Sequence, residues 1–501
     1  MATIAQHDDD AVLPAFGYRQ QFVRSLRHFE SFAVAFSFIS ITTGIFTTFS
    51  FALVTGGPRS IWTWPIVIAG QTLVALVYGA LSARVPLSGY SYQWASRLAN
   101  VHVGWWIGWM SFAFLSIVAV SVDYGLIQVA FQPLIGETYT PTSAALETLV
   151  VLALQAGLII WSTRATTRVN NTAVATEVIG ILGLTVLLLI VAAVRGHGHW
   201  SNLGSSGIVA SAGYFKWLGP FMLATLLGAY TIVGFEAASN LAEETEQPHR
   251  VIPRAMIRAV LLSGAVGMVF LIALSYATNS IKAASANAAP VAFIVHDVLG
   301  GVVSKLFLIF VCISIFACGL IIMVTNSRLI WSMARDRRLP GYQLWRQVPR
   351  ATSGPTWATV LAAVIGGGIT LVLRTHYGAL TTLFTASTIM PAILYTSTVL
   401  LYIYARWRHR GRPGQVALGR WEIPVIVGAL VWLVYELIVL IGPSVFRDAQ
   451  YYVLGALGVG LVFYAVQWML EPAAMRAEEG AHGTDILAGS DAQPTASGGA
   501  A

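Results

Sequence analysis

Charged residues are scarce in this sequence of 501 residues. Asp, Glu, Lys and Arg make up 10% of it, whereas 56% of the residues are hydrophobic. Soluble domains typically carry about 25% charged residues, so the composition excludes a water-soluble globular protein. The apolar runs are continuous, whereas a membrane barrel would show short alternating segments. The chain is therefore predicted to be an all-α integral membrane protein, with room for roughly ten to fourteen spans.

Cysteine is nearly absent. The two cysteines, Cys312 and Cys318, lie in one apolar run, and a separation of six residues turns them to different faces of a helix. This spacing supports neither a disulfide nor a metal pair. The ten His residues are dispersed and no nucleotide-binding loop is present, which argues against a membrane-embedded enzyme. No cofactor or metal is expected.

The N-terminal segment lacks the features of a cleavable signal peptide. Residues 1–27 are polar, contain Asp8-Asp9-Asp10 and have no apolar core, so the first span is expected to act as its own targeting signal. Residues 1–14, and the tail from about Glu478, are expected to be mobile because they cannot bury enough apolar surface to order themselves.

The apolar runs predict about 12 transmembrane helices. Their expected limits are 30–53, 61–83, 102–132, 144–163, 171–194, 217–240, 255–277, 300–334, 355–374, 378–405, 421–442 and 449–469. The apolar segment 284–299 is too short to span and is expected to be a re-entrant or surface helix.

Basic residues are distributed unevenly between the two sides of these spans. With both termini inside, 22 of the 29 Lys and Arg residues fall on inner segments. The seven on the outside are Arg59, Arg195, Lys216, Lys282, Lys305, Arg374 and Arg447. The positive-inside rule therefore predicts cytoplasmic termini, and it explains the net charge of +7 without nucleic acid. The plasma membrane is the expected location. The cluster 335–340 is expected to anchor the chain to lipid head groups.

Small residues interrupt two of the spans in the same way. The sixth span carries Gly234 and, two residues later, Glu236, a carboxylate that costs about 2.5–3.5 kcal/mol at hydrocarbon depth and is therefore expected to be functional. The first span runs from apolar to small polar residues and then to Gly44 and bulky residues. Glycine interruptions at corresponding positions of two halves indicate an inverted repeat with a site between them. The alternative is two continuous helices with close-packing glycines.

Such breaks suit a zwitterion. Amides at the start of a half-helix attract an anionic group, and freed carbonyls attract a cationic one. The hydroxyls of Thr42, Thr43 and Thr231 either add contacts to the substrate or bond back to their own helix.

The residues quoted next carry a family resemblance. They are Phe16-Gly17-Tyr18-Arg19-Gln20-Gln21-Phe22 before the first span, 36–58 along and after it, Arg84-Val85-Pro86-Leu87-Ser88-Gly89-Tyr90-Ser91-Tyr92-Gln93-Trp94 after the second, and Gly234-Phe235-Glu236 leading to Glu243-Glu244-Thr245-Glu246-Gln247-Pro248 and Val251-Ile252-Pro253-Arg254-Ala255. The chain resembles the amino acid–polyamine–organocation permeases, most closely the amino acid/choline permease branch that includes GABA and choline permeases. The resemblance implies a leucine-transporter-type fold, in which two five-helix inverted repeats are followed by two peripheral helices.

This resemblance also implies the division of the chain. The expected parts are a cytoplasmic N-terminal segment 1–29, a first repeat 30–194, an extracellular loop 195–216, a second repeat 217–405, peripheral spans 406–470 and a disordered cytoplasmic tail 471–501.

Substrate contacts are carried over from the family by position. The resemblance places the substrate carboxylate against backbone amides at the first break, and the substrate amine against carbonyls at the second. The implied residues are Thr42, Thr43 and Gly44 at the first break, and Tyr230, Thr231, Ile232, Val233 and Gly234 at the second. Tyr230 matches an aromatic residue that closes over the substrate, although packing of a Tyr is the simpler alternative.

Acidic residues at membrane depth are candidates for coupling or gating. Glu236 matches an acidic family position with that role. Glu177 falls where some relatives have a Lys; it is expected to carry a proton, to hold an organic cation or to pair with an Arg. Asp123 either faces the bundle, where it attracts an amine, or lies among outer head groups. Glu436 is expected to contact a neighbouring helix or, through the eleventh and twelfth spans, a second copy of the chain.

The predicted function is secondary active transport of an amino acid, GABA-like acid or organic amine by alternating access, either coupled to protons or working by exchange. The alternative is a sensor that binds such a ligand without sustained flux. The short tails show no folded signalling domain, which argues against a sensor.

Overall fold

The computed structural model describes residues 13–476 except 15, 350–353, 376–377 and 409–417. Within those ranges the regular elements are helices, and Leu26 and Thr245 form an isolated bridge. The predicted mobile ends lie almost entirely outside the described residues. The tail expected from 471 begins with a short helix, Pro472–Arg476.

The first half of the chain forms the first five spans. Their helices are α1 (His28–Ile39) and α2 (Ile41–Gly56) in the first span, α3 (Thr63–Arg84), α4 (Tyr90–Leu98) between spans, α5 (Val101–Leu126), α6 (Pro141–Trp161) and α7 (Thr163–Val194). A π-helical turn, Ile127–Phe131, continues α5 into the short helix Gln132–Ile135.

The second half begins with three short helices. These are α8 (Pro220–Leu223), α9 (Leu226–Thr231) and α10 (Ala237–Asn240). The remaining helices are α11 (Pro248–Ala277), α12 (Ile281–Ser285), α13 (Pro290–Leu299), α14 (Gly301–Arg335), α15 (Thr356–Leu373), α16 (Ala379–Arg408), α17 (Glu422–Ile441) and α18 (Arg447–Leu470), with a short helix Tyr342–Trp345 before α15.

Eleven helical segments of the described residues are long and apolar enough to cross a membrane. The sixth predicted span, 217–240, is not among these eleven because it is divided into the short helices α8, α9 and α10. The all-helical membrane fold is confirmed. The segment expected to be too short to span is indeed divided into the short helices α12 and α13.

Burial separates the centre of the bundle from its edge. In the most apolar 18-residue window of each span, 94% of the residues are buried in the first span but only 17% in the last. The first span therefore lies in the core, whereas α18 exposes most of its apolar surface.

Glu436 joins the edge to the core. It is 1% exposed, and both of its carboxylate oxygens lie 3.5 Å from Nε2 of Gln71 on α3. Nearby, Gly70 of α3 packs directly against the Trp432 ring of α17. Glu436 is thus a contact between α17 and α3 of the same chain.

Two residues of the charge cluster 335–340, at the end of α14, do not fit the prediction of a lipid anchor. Arg338 is 1% exposed, and its Nη1 donates to the hydroxyls of Tyr92 and Ser96. Asp336 accepts hydrogen bonds from the hydroxyls of Tyr18 and Tyr92. Asp336 and Arg338 belong to an internal network, because tyrosine and serine side chains of other segments supply the partners that a lipid surface would otherwise provide, whereas Arg337 is exposed.

Candidate functional site

The first span is interrupted at Ser40, four residues before the predicted position. Ser40 has φ 35° and ψ 98°, which separates α1 from α2. Its amide donates to the carbonyl of Phe36, and its Oγ accepts the amide of Thr43, so the serine ends one helix and caps the next. Thr42, Thr43 and Gly44 form the first turn of α2 and are not themselves unwound. The hydroxyl cap replaces the glycine that the sequence pattern indicated.

A carboxylate from the fifth span fastens this break. Oε1 of Glu177 accepts hydrogen bonds from the amide of Thr42, at 2.9 Å, and from the hydroxyl of Ser40, at 3.0 Å. Glu177 is 4% exposed. A carboxyl group therefore already lies at the N-terminus of α2, where helix amides favour negative charge. Among the described residues, Glu177 does not pair with an Arg, which was one of the expected alternatives. Its partners are polar groups of the break.

The second break lies at the predicted residues. Helix α9 ends at Thr231, residues 232–236 are non-helical, and α10 begins at Ala237. Gly234 has φ +83°, a left-handed conformation that residues with a side chain rarely adopt. Ile232 and Val233 lie in the unwound part, whereas Tyr230 and Thr231 belong to the last turn of α9.

A tyrosine from the tenth span fastens the second break. The hydroxyl of Tyr395 accepts the amide of Gly234 at 3.0 Å and donates to Oε2 of Glu236 at 2.7 Å. Both Tyr395 and Glu236 are buried. The fourth span after each interrupted span thus supplies the group that binds the backbone at the break: Glu177 for the first break and Tyr395 for the second.

The two interrupted spans cross in close contact. A Cβ atom added at Gly44 would overlap the Thr231 side chain, and one added at Gly234 would overlap the Phe38 ring. Each interrupted span therefore presents a glycine to a side chain of the other, which brings the two breaks close together.

A small cavity lies where the spans cross. Its lining residues come from the first, third, sixth, eighth and tenth spans: Phe38, Ile39, Thr43, Gly44, Val118, Val122, Tyr230, Val233, Cys318, Ile322 and Ser387. The cavity volume is about 10 Å³, which is roughly the space of one water molecule. Four of the predicted substrate residues line it, and a substrate the size of an amino acid requires the surrounding helices to separate.

The hydroxyls of Thr43 and Thr231, near the crossing, are already paired. Thr231 Oγ1 donates to the carbonyl of Leu227 at 2.6 Å, and Thr43 Oγ1 donates to Ser40 Oγ at 2.7 Å. The Tyr230 hydroxyl lies 3.1 Å from the Ser121 hydroxyl, and the centre of its ring is 5.8 Å from the centre of the Phe384 ring. These threonines bond back to their own span, while Tyr230 holds its ring against the cavity.

Asp123 lies inside the bundle and not among outer head groups. It is fully buried, and its Oδ1 accepts a hydrogen bond from Nε2 of Gln155 at 2.8 Å. The absence of a side chain at Gly319 leaves the space that this carboxylate occupies. No partner of its Oδ2 is found among the described residues.

One face of the bundle is closed by buried ion pairs. This face carries residues 16–27 and is called the N-terminal face below. Glu243 Oε1 and Oε2 accept Nη1 of Arg335 at 2.9 and 3.0 Å, and Glu244 accepts Nε of Arg328 at 2.9 Å. Burial raises the pKa of the Glu243 carboxyl above its ordinary value, and the Arg335 guanidinium opposes that shift.

The N-terminal segment crosses this closed face. The Arg335 guanidinium lies 3.7 Å from the centre of the Tyr18 ring, and the Phe22 ring lies 4.6 Å from that of Trp331. The amides of Ser25 and Leu26 donate to the carbonyl of Glu244 at 2.9 and 3.0 Å. The segment therefore ties the loop after α10 to the end of α14.

Several site residues were not predicted. Ser40 belongs to the polar run that was recognised, and a check for a helix-capping hydroxyl before that run would have found it. Tyr395, Cys318 and Ser387 carry no local signal, because only the three-dimensional contact of the spans brings them to the breaks.

An all-helical membrane bundle in which two interrupted spans meet at a buried cavity is the architecture of a secondary transporter with discontinuous helices. The amino acid permease family model matches residues 26–464. The chain belongs to the amino acid permease family, a family of transporters and not of enzymes.

Relatives of similar length support this assignment. The chain is 25% identical to amino-acid permease BAT1 of Arabidopsis thaliana over 84% of this chain and 86% of that protein. It is 26% identical to the amino-acid permease BAT1 homolog of Oryza sativa subsp. japonica over 92% and 93%, respectively. It is 22% identical to amino-acid permease 2 of Neurospora crassa over 93% and 88%.

Proposed function

We propose that this protein is a secondary active transporter that moves an amino acid, a GABA-like acid or an organic amine across the plasma membrane by alternating access. The observation that carries the proposal is the crossing of two interrupted spans, with Gly44 against Thr231 and Gly234 against Phe38, around a buried cavity. A site built from both halves of the chain changes its access when the halves move relative to each other. The relatives' names support an amino acid as substrate.

Coupling to protons is part of the proposal, with exchange of one substrate for another as the alternative mode. Glu236 and Glu177 are both buried at the breaks. Glu177 accepts the amide of Thr42, and Glu236 accepts the hydroxyl of Tyr395, which in turn accepts the amide of Gly234. Protonation or deprotonation of these carboxyl groups would change the hydrogen bonds that stabilise the breaks. Neither carboxylate forms an ion pair among the described residues, which leaves both free to exchange a proton during transport.

Orientation follows from the distribution of Lys and Arg, which supports cytoplasmic termini. The N-terminal face is then the cytoplasmic one, and its ion pairs close the route to the cytoplasm. A second copy of the chain is proposed to pack on α17 and α18, where much apolar surface is exposed.

Uptake by proteoliposomes tests the proposal. The purified chain should accumulate one or more of radiolabelled arginine, glutamate, GABA, choline and putrescine, and an imposed pH gradient should increase the accumulation. Glu236→Gln should remove the effect of the gradient while the protein remains folded. Stabilisation by one of these compounds without any flux would favour a sensor and contradict the transporter.

A further inference from the structure

A buried carboxyl and a buried amide lie side by side near the cavity where the two interrupted spans cross. Asp123 of α5 and Gln155 of α6 are both fully buried. Nε2 of Gln155 donates to Oδ1 of Asp123 at 2.8 Å and to the carbonyl of Phe316 at 3.2 Å. These hydrogen bonds fix the orientation of the amide, because its NH₂ group faces the two acceptors. The Asp123–Gln155 pair therefore connects the third, fourth and eighth spans.

Two oxygen atoms of this pair lack a hydrogen-bond partner. They are Oδ2 of Asp123 and Oε1 of Gln155, and no described residue donates to either of them. A buried acceptor without a donor is unfavourable, and a buried ionised carboxyl is costly unless a positive group compensates it. Asp123 forms no ion pair among the described residues. The pair thus holds two acceptors that a positively charged donor fits.

The Asp123–Gln155 pair adjoins the cavity. Val122, next to Asp123 in α5, lines the cavity, and so does Cys318, next to Gly319 in α14. A Cβ atom added at Gly319 would overlap both members of the pair, so glycine makes room for the pair directly behind this wall. The Asp123 carboxyl also interacts electrostatically with the side chains of Cys318 and Tyr230, which both line the cavity. Its charge therefore acts on a molecule bound there.

The other charged groups around this cavity do not neutralise Asp123. Glu177 acts on the same cysteine thiol and so adds a second acidic group. The first basic residue after Gly319 in α14 is Arg328, which is already paired with Glu244 at 2.9 Å. None of the residues that line the cavity is basic. The described surroundings therefore favour a positive group over a negative one.

We propose that the Asp123–Gln155 pair binds the positively charged side-chain end of the substrate, which makes the substrate a basic amino acid. An ammonium group carries three N–H donors and a guanidinium carries five, so either group can supply one donor to Oδ2 of Asp123 and another to Oε1 of Gln155. The zwitterionic end of the substrate then lies at the crossing of the interrupted spans. When the surrounding helices separate, the side chain reaches the pair between α5 and α14. This inference rests on the proposed transport of an amino acid and names the class of that substrate.

Calorimetric titration of the purified full-length protein with arginine and with citrulline tests this inference. The two amino acids have the same length, but citrulline carries a neutral ureido group in place of the guanidinium. Wild type should bind arginine more tightly by about tenfold or more, because citrulline loses the hydrogen bond between two charged groups. Asp123→Asn, which keeps the shape of the side chain, should weaken arginine binding by about the same factor and leave citrulline binding unchanged.

A second variant and a matched control accompany this substitution. Gln155→Met removes one acceptor and keeps the carboxyl, so it should reduce the preference for arginine by less than Asp123→Asn does. Glu436→Gln is the control, because Glu436 is also a buried carboxyl but lies beside Gln71 at the contact of α17 with α3 and does not line the cavity. Its preference for arginine should equal that of wild type.

The possible outcomes separate this inference from the proposed function. Equal affinities of wild type for arginine and citrulline would overturn the inference, and so would an equal loss of both in Asp123→Asn. Sodium that stabilises wild type but not Asp123→Asn, without any preference for arginine, would assign the pair to an inorganic cation instead. Uptake of arginine and citrulline at equal rates and affinities would contradict the inference and leave the transporter standing. A preference for arginine that depends on Asp123, in a protein without uptake, would keep the inference and contradict only transport.

Discussion

Gly44 permits the contact between α2 and α9, because any side chain at this position would overlap Thr231. Gly44→Ala should therefore force the two interrupted spans apart. Overpacking of this kind typically costs about 1–3 kcal/mol, and we expect a lower melting temperature together with the loss of most uptake. Thermal unfolding and proteoliposome uptake of the same preparation measure the two effects.

Gly183→Ala is the control for this substitution. Gly183 lies within α7, and a Cβ atom added there meets no atom within 4 Å. Alanine is favoured over glycine inside a helix by about 1 kcal/mol, so this variant should be at least as stable as wild type and fully active. Wild-type uptake by Gly44→Ala would show that the close crossing is not required for transport.

Tyr395 connects Glu236 to the backbone of the second break. Tyr395→Phe removes the acceptor of the Gly234 amide and leaves that amide buried without its partner, at a cost of about 1–3 kcal/mol. It also removes the 2.7 Å hydrogen bond to Glu236. We expect reduced thermal stability and reduced uptake.

The matched control is Tyr451→Phe. Tyr451 is 62% exposed on α18, and the loss of its hydroxyl should change neither stability nor uptake. If Tyr395→Phe behaved like this control, the hydrogen-bonded chain from Glu236 to Gly234 would have no role in holding the break.

At the scale of elements, the Glu243–Arg335 pair joins the loop after α10 to the end of α14. Removing one partner of a buried pair leaves an uncompensated charge and costs about 3–5 kcal/mol. Arg335→Met and Glu243→Gln should therefore each destabilise the closed N-terminal face. The double variant should lose less stability than the two single variants lose together, because neither charge of the pair is then left without its partner. A double-mutant cycle on thermal unfolding measures this coupling.

The exposed pair Arg27–Glu246 provides a comparison within the same face. Its side chains are 74% and 45% exposed, and exposed pairs contribute about 0–1 kcal/mol. Arg27→Met and Glu246→Gln should accordingly have small and additive effects. Equal coupling energies for the two pairs would contradict the idea that burial makes the Glu243 pair the one that holds this face closed.

The elements show where sequence reasoning succeeded and where it did not. The second break was located at the right residues because Gly234 supplies the backbone conformation that the break uses. The first break was placed at Gly44, whereas Ser40 forms it, because the hydroxyl cap and the Glu177 carboxylate do the work expected of a glycine. Glu177 is 137 residues from Ser40 in the chain, and no local pattern pairs them.

On the scale of the whole molecule, composition and apolar runs were sufficient to predict the class of protein and the positions of the membrane spans. Membrane insertion depends on the summed hydrophobicity of a segment, which the sequence shows directly. The direction in which a charged side chain faces could not be predicted in this way. The cluster 335–340 was assigned to lipid because its basic residues lie at the end of a span, but Arg338 faces Tyr92 and Ser96. Long-range contacts of this kind decide the role of a charge and leave no periodic signal.

Since both halves of the chain build the cavity, a bound substrate should stabilise the molecule as a whole. A compound present at 100 times its Kd stabilises the folded state by about 2.7 kcal/mol if it does not bind the unfolded chain. A thermal-shift panel of arginine, glutamate, GABA, choline and putrescine should therefore raise the single unfolding transition for the transported compounds. The same compounds should have little effect on Gly44→Ala, because its spans are forced apart at the site. An equal shift in both proteins would place the binding site away from the crossing of the two interrupted spans.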